Sequence, residues 1–279
     1  MFCAKLGIHH KFETGGSMKA ELIYFSATGT TKNIVRAFSE GLGFEPKFTD
    51  ITLPANRKAY QPVDSDLMVI AAPVYGERIP AFVWEFIQPI QGDGKPLVVI
   101  AIYGNIGYGI SFNQFENFAR QNNFRLIAAG AFIGEHTYAR ENAPVGLGRP
   151  DQTDLAHAAE FGEQVRLKIN SNTYHPPIIS PSTLPEWITE FPDSGVRFLV
   201  RQPAVNESVC NQCGACALRC PMGAIDPQTL SIDETQCIRC YACVKICPVS
   251  ARTEKFRLQF FEGIFTHLGK KRKGNQVFL

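Results

Sequence analysis

Between Cys3 and Cys210 there is no cysteine, although the chain has nine. That gap leaves most of the sequence without the means to form a disulfide framework. Long hydrophobic runs are also missing. The longest, Leu97–Tyr103, has the length of a strand, far short of the roughly 18 residues of a membrane-spanning helix. Charge of one sign is lacking: 28 Lys and Arg against 26 Asp and Glu leave +2, too little to predict nucleic-acid binding. Residues 1–17 have neither an apolar core nor a cleavage-site pattern, so they do not read as a signal peptide. Gly15-Gly16-Ser17-Met18 suggests a disordered leader, carrying Cys3, His9 and His10, ahead of a fold that begins near Lys19. The chain has 279 residues, 45% of them apolar, which suits one large or two moderate domains with a buried core.

The remaining eight cysteines are concentrated. Cys210, Cys213, Cys216 and Cys220 precede Pro221; Cys237, Cys240, Cys243 and Cys247 precede Pro248. This is C-x2-C-x2-C-x3-C-P written twice, 27 residues apart, the ligand spacing of a ferredoxin with two cubane clusters. Zinc favours paired C-x2-C knuckles, and secreted disulfide domains seldom follow a large α/β unit. Cluster ligation in a reducing cytoplasm is therefore the expectation. In such repeats the fourth cysteine of each motif serves the other cluster. Cys210, Cys213, Cys216 and Cys247 are then expected to hold cluster one, and Cys237, Cys240, Cys243 and Cys220 cluster two. Small neighbours, Gly214, Ala215 and Ala242, let backbone amides approach the sulfurs, and each proline turns the chain away. No Asp replaces a cysteine, so nothing suggests a three-iron site.

Upstream, apolar strand-like runs alternate with amphipathic ones. Ala20–Phe25, Lys47–Thr52, Leu67–Ala72, Pro96–Tyr103 and Phe124–Gly134 read as strands. Thr31–Leu42, Ala81–Gln91, Ser111–Gln121 (capped by Ser111) and Thr153–Ile169 read as helices. Strands apolar on both faces and separated by helices predict a doubly wound, five-stranded parallel sheet, an α/β domain over residues 18–170. Residues 171–203 hold six of the 18 prolines and read as a linker, with Trp187, Ile188 and Phe191 packed on a domain surface. A small α+β domain at 204–250 carries the cysteines. Residues 251–279 form a tail. Its Phe256, Leu258, Phe260, Phe261, Ile264, Phe265 and Leu268 suggest an apolar helix docked across the domains, ahead of the basic run Lys270–Lys273.

After the first strand comes Ser26-Ala27-Thr28-Gly29-Thr30-Thr31, opening a helix. Hydroxyls, a glycine and a helix N-terminus make a phosphate cradle. There is no G-x-G-x-x-G and no Walker loop. The motif resembles the flavodoxin phosphate loop, (S/T)-x-T-G-x-T, and that resemblance implies FMN. Pro73-Val74-Tyr75-Gly76 and Tyr103-Gly104-Asn105-Ile106-Gly107-Tyr108-Gly109 resemble the two loops that flank the flavin ring in flavodoxins. The resemblance implies that Tyr75, Tyr103 or Tyr108 stacks on the ring and that Gly76, Gly104 and Asn105 approach its edge. One departure is that Tyr103–Phe112 carries no acid, where many flavodoxins have acids near the ring. His136 is a candidate proton donor, with a solvated loop as the simpler reading. The order of domains resembles a family of fused flavodoxin–ferredoxin proteins. That resemblance implies an electron carrier with FMN and two [4Fe-4S] clusters, serving redox-protein donors and acceptors and open to a homodimeric state. A flavin enzyme reducing a small molecule such as a quinone, and a non-catalytic redox sensor, remain alternatives.

Overall fold

The computed structural model describes residues 18–141, 143–180 and 196–253, together with 257, 263, 266, 267, 269 and 271–279. The leader, Trp187, Ile188, Phe191 and the tail aromatics named above lie outside the described residues. Strands β1 (Lys19–Tyr24), β2 (Glu45–Asp50), β3 (Leu67–Pro73), β4 (Pro96–Tyr103) and β5 (Arg125–Ile133) are parallel, in the order β2-β1-β3-β4-β5. That is the flavodoxin-like strand order. Every residue of β3 and β4 is buried, as expected for strands covered on both faces. Helices α1 (Thr30–Leu42) and α5 (Gln152–Asn170) cover one face. They approach so closely that a Cβ at Gly41 would overlap the carbonyl of Ala159, and one at Gly162 that of Phe38. Helices α3 (Ala81–Ile87) and α4 (Ser111–Gln121) cover the other face, after a short α2 (Pro54–Lys58).

The five expected parallel strands are all present, and the end of the chain adds one more. Residues Gln276–Phe278 form a sixth strand, antiparallel to β5 at the sheet edge. It is called β8 because β6 (Ala204–Val205) and β7 (Arg252–Thr253) precede it, pairing as a small ribbon that closes the cysteine-rich segment. Val277 packs with the core of one sheet face and Phe278 with that of the other. A single antiparallel edge strand on a parallel sheet is a common arrangement. The alternating pattern that marks a strand is too short over three residues to be legible. The cysteine-rich segment thus falls between α5 and β8 in the chain, and the sheet holds both flanks.

Helix starts also differ in detail. Ser111 does not cap α4; its hydroxyl donates to Tyr108 O at 2.7 Å from inside the first turn. At α5, Asp151 and Asp154 form a reciprocal capping box.

Candidate redox site at the strand ends

The loops after β1, β3, β4 and β5 emerge on one edge, where doubly wound folds bind ligands. The first loop is Ser26–Gly29. Ser26 N donates to Thr52 Oγ1 at 3.0 Å, and Ser26 Oγ accepts from Lys32 N at 3.1 Å. Gly29 is the N-cap of α1 with φ 94° and supplies no side-chain cap. Thr28 is exposed, Thr30 half-buried, and Thr31 fully buried with an Oγ1 that has no hydrogen-bond partner. An uncapped helix start with a buried, unpartnered hydroxyl fits an anion with acceptor oxygens.

The second loop follows Pro73, the buried last residue of β3. Val74 N donates to Ile102 O at 2.8 Å and Tyr75 N to Arg78 O at 2.9 Å, folding a tight turn with Gly76 at φ 59° and exposed. The Tyr75 ring meets Phe25 edge-on, 6.2 Å between centroids. Burial pushes the Tyr75 hydroxyl far up, and Cys240 and Tyr138 are the next contributors. Cys240 of the cysteine-rich segment is thus within electrostatic reach of this loop.

The third loop is not free to flank a ring with all the residues expected of it. Tyr103 OH donates to Gly274 O at 3.1 Å, and Tyr108 OH to Gln276 Oε1 at 2.8 Å. Asn105, buried and at φ 59°, donates to Gly269 O (2.8 Å) and Lys271 O (3.0 Å) and accepts from Lys273 N at 3.0 Å. The Tyr103 and Tyr108 rings pack edge-on at 5.5 Å, Tyr108 against Phe112, and Phe112 against Phe278. The tail thus takes up the polar atoms of this loop. It is clamped further by Arg272 on Asp151 (2.5 Å) and Asn275 on Asp154 (2.9 Å). Gly104 meets the His136 ring, which would overlap any Cβ there.

Three features escaped the sequence reading. An acid is present after all: Glu77, from the second loop, lies against Gly107 and Gly109. Burial raises its carboxyl and Lys273 opposes the rise. His136 is not on a solvated loop; its ring lies 5.1 Å from that of Tyr138, and its Nδ1 accepts from Tyr138 N at 3.2 Å. Burial, with Lys245 adding, lowers its pKa to about 3, so the imidazole is neutral. The third feature is the contact between the two parts. Tyr138 OH donates to Arg239 O (3.3 Å), the Tyr138 and Tyr241 rings meet edge-on at 5.1 Å, and Lys245 pairs with Glu135 at 2.7 Å. Arg57 donates to Ile51 O and Thr52 O at 2.9 Å each and, with its other nitrogen, to Pro221 O at 2.8 Å.

In the cysteine-rich segment all eight cysteines are free thiols. One cavity is lined by Cys210, Cys213, Cys216 and Cys247, the four expected for cluster one. Cys237, Cys240 and Cys243 each lie within electrostatic reach of Cys220, and Cys243 also of Cys216. The repeats mirror each other. Ala224 N donates to Cys220 Sγ and Ala251 N to Cys247 Sγ, both at 3.2 Å. Left-handed backbone recurs at Gln212 and Gly214, then at Arg239 and Tyr241. Burial raises the thiols of Cys237, Cys240 and Cys243, the last to about 12. At Cys247 burial also pushes upward, but N–H bonds from Arg252, Ala251 and Val249 outweigh it and lower the thiol. Four thiols around a cavity with N–H donors on the sulfurs suit a thiolate-held cluster.

Residues 202–248 match the family described as a 4Fe-4S dicluster domain. The dicluster segment so defined holds all four cysteines of each motif. No curated protein matches the chain. Among solved structures, a flavodoxin from the domain Archaea is similar over 55% of this chain and 99% of its own, at 14% identity and TM-score 0.39. Flavodoxin 2 from Bacillus cereus is similar over 52% and 94%, at 15% identity and TM-score 0.39. The rubredoxin oxygen:oxidoreductase from Desulfovibrio gigas is similar over 56% of this chain and only 37% of its own, at 13% identity and TM-score 0.41. The strand order, not these likenesses, carries the fold. The chain joins a flavodoxin-like fold to a dicluster segment. Among the described residues no helix is long and apolar enough to cross a membrane.

Proposed function

We propose that the chain is an electron-transfer protein in which FMN at the strand ends exchanges electrons with two [4Fe-4S] clusters in the dicluster segment. A redox role follows from the iron–sulfur match. The coupling to a flavin is supported above all by one observation: the second cysteine loop is docked on the strand-end edge, with Tyr138 donating to the Arg239 carbonyl and its ring packed on Tyr241. In this reading Ser26, Thr28, Gly29, Thr30 and Thr31 hold the phosphate. Pro73–Gly76 and Gly104 border the ring. Tyr103, Asn105 and Tyr108 support the loop from behind, since the tail engages them. Flavins take up electrons in pairs and release them singly, while each cluster carries one. The protein's own part is to exclude water and fix both groups: Tyr138 and Tyr241 fill the junction, and His136, held neutral, adds no charge there.

Anaerobic purification with reconstitution tests this. Bound FMN and about eight irons per chain are expected from the two-cluster pattern. A colourless protein carrying one or two zinc ions would sink the reading.

A further inference from the structure

Arg239 stands between Cys237 and Cys240 and is 1% exposed. Its Nη2 donates to Glu234 Oε1 at 2.5 Å. Its Nε and Nη1 are buried and have no hydrogen-bond partner. A buried guanidinium with idle donors is a rare state in native proteins, and it calls for an acceptor. The cluster loop itself does not require this side chain. The matching position of the first repeat is Gln212, with the same φ of 57°, and it is exposed. What distinguishes Arg239 is its place at the junction. Its carbonyl is bonded by Tyr138, its charge reaches the Tyr138 hydroxyl, and Tyr138 touches His136, which lies on Gly104.

We propose that Arg239 is a binding residue which the dicluster segment contributes to the flavin site, with Nε and Nη1 donating to the acceptor-rich carbonyl edge of the ring. This rests on the FMN reading given above. The fork of a guanidinium matches two adjacent acceptors in a plane, which a lysine or an amide cannot reproduce. A fixed positive charge there also favours the reduced ring, because that edge gains negative charge on reduction. The flavin site would then be complete only when the two parts are docked, so that FMN binding and docking support each other.

The test uses the full chain with clusters loaded and flavin removed, titrated with FMN and followed by loss of flavin fluorescence. Arg239→Gln should keep wild-type iron content and cluster EPR signals, bind FMN about tenfold more weakly or worse, and lower the flavin midpoint potential. Wild-type affinity and potential in Arg239→Gln overturn the proposal. So does a change confined to the cluster signals, which would assign the guanidinium to the cluster. Should Arg239→Gln lose iron, Arg239→Lys decides: full iron with weakened FMN supports the assignment, and unchanged FMN affinity overturns it. A wild-type chain that takes up no FMN overturns the flavin reading itself, and this is seen before any variant is made.

Discussion

Gly29 has φ 94°, and a Cβ built there would meet nothing within 4 Å. Substitution at this position therefore tests backbone conformation without steric overlap. Gly29→Ala should cost about 1–2 kcal/mol of left-handed strain and weaken FMN binding while leaving iron content unchanged. Fluorescence titration and iron analysis on the same sample check both halves; equal FMN affinity would remove the cradle from the site. His136 allows a second test at this scale. Its pKa is about 3 in the folded chain against an ordinary value near 6.5. Above pH 6.5 neither state is protonated, so the shift has no effect. As pH falls below that value, the unfolded chain gains a proton that the folded one refuses, and stability declines until about pH 3. Denaturant midpoints for the wild type should therefore fall faster between pH 7.5 and 5 than those of His136→Asn. Measuring the difference between the two chains at each pH isolates this group from the acid sensitivity of metal ligation. Parallel curves would show that His136 is not held neutral by the fold.

At the scale of elements, the two repeats differ where they meet the rest of the molecule. The first places Gly214 at its left-handed position; the second places Tyr241 there at φ 54°, 1% exposed, with its hydroxyl bonded to Arg201 O. A tyrosine in that conformation carries strain that a glycine would not, and its surroundings hold it there, the ring against Tyr138 among them. Tyr241→Gly should therefore leave both clusters in place yet speed proteolysis between the two parts, read by limited digestion and iron content; a digestion pattern like wild type would mean the ring does not hold the junction. Strand β8 is the other such element. A chain ending at Gly274 should lose about 2 kcal/mol from the Phe112–Phe278 contact and edge pairing and expose the β5 edge to self-association, visible by light scattering. What could be read from sequence follows the range of the interactions. The cysteines, Ser26–Thr31 and the apolar strands are local patterns with their own spacing. Glu77 against Gly107, Asn105 on Lys271 and Tyr138 on Tyr241 join residues far apart in the chain, and no local period records them. Val277 and Phe278 follow a basic run and span too few residues to announce a strand.

For the molecule as a whole, the two proposed cluster sites are not equivalent. Cys220 leads into Pro221, whose carbonyl accepts from Arg57, and Cys240 lies between Arg239 and Tyr241, both of which meet Tyr138. The site of Cys237, Cys240, Cys243 and Cys220 is thus the inner one. The other lies away from the sheet, with Cys213 exposed and Leu218 and Val209 exposed nearby at 74% and 45%. With the crossed ligand sets proposed above the two sites lie close, and the order that follows from the proposed function is flavin, inner cluster, outer cluster, external partner. This order separates two variants that a parallel arrangement would not. With Cys213→Ala, rapid mixing should still show electrons passing from reduced FMN to the inner cluster, while reduction of an external one-electron acceptor such as cytochrome c slows by about tenfold or more. With Cys240→Ala, both steps should fail, because the outer cluster has lost its link to the flavin. If Cys213→Ala reduces the acceptor at the wild-type rate, electrons leave by another route, from the flavin or the inner cluster directly. If Cys240→Ala still fills the outer cluster from FMN, the docked arrangement at Tyr75 and Tyr138 is not the path that electrons take.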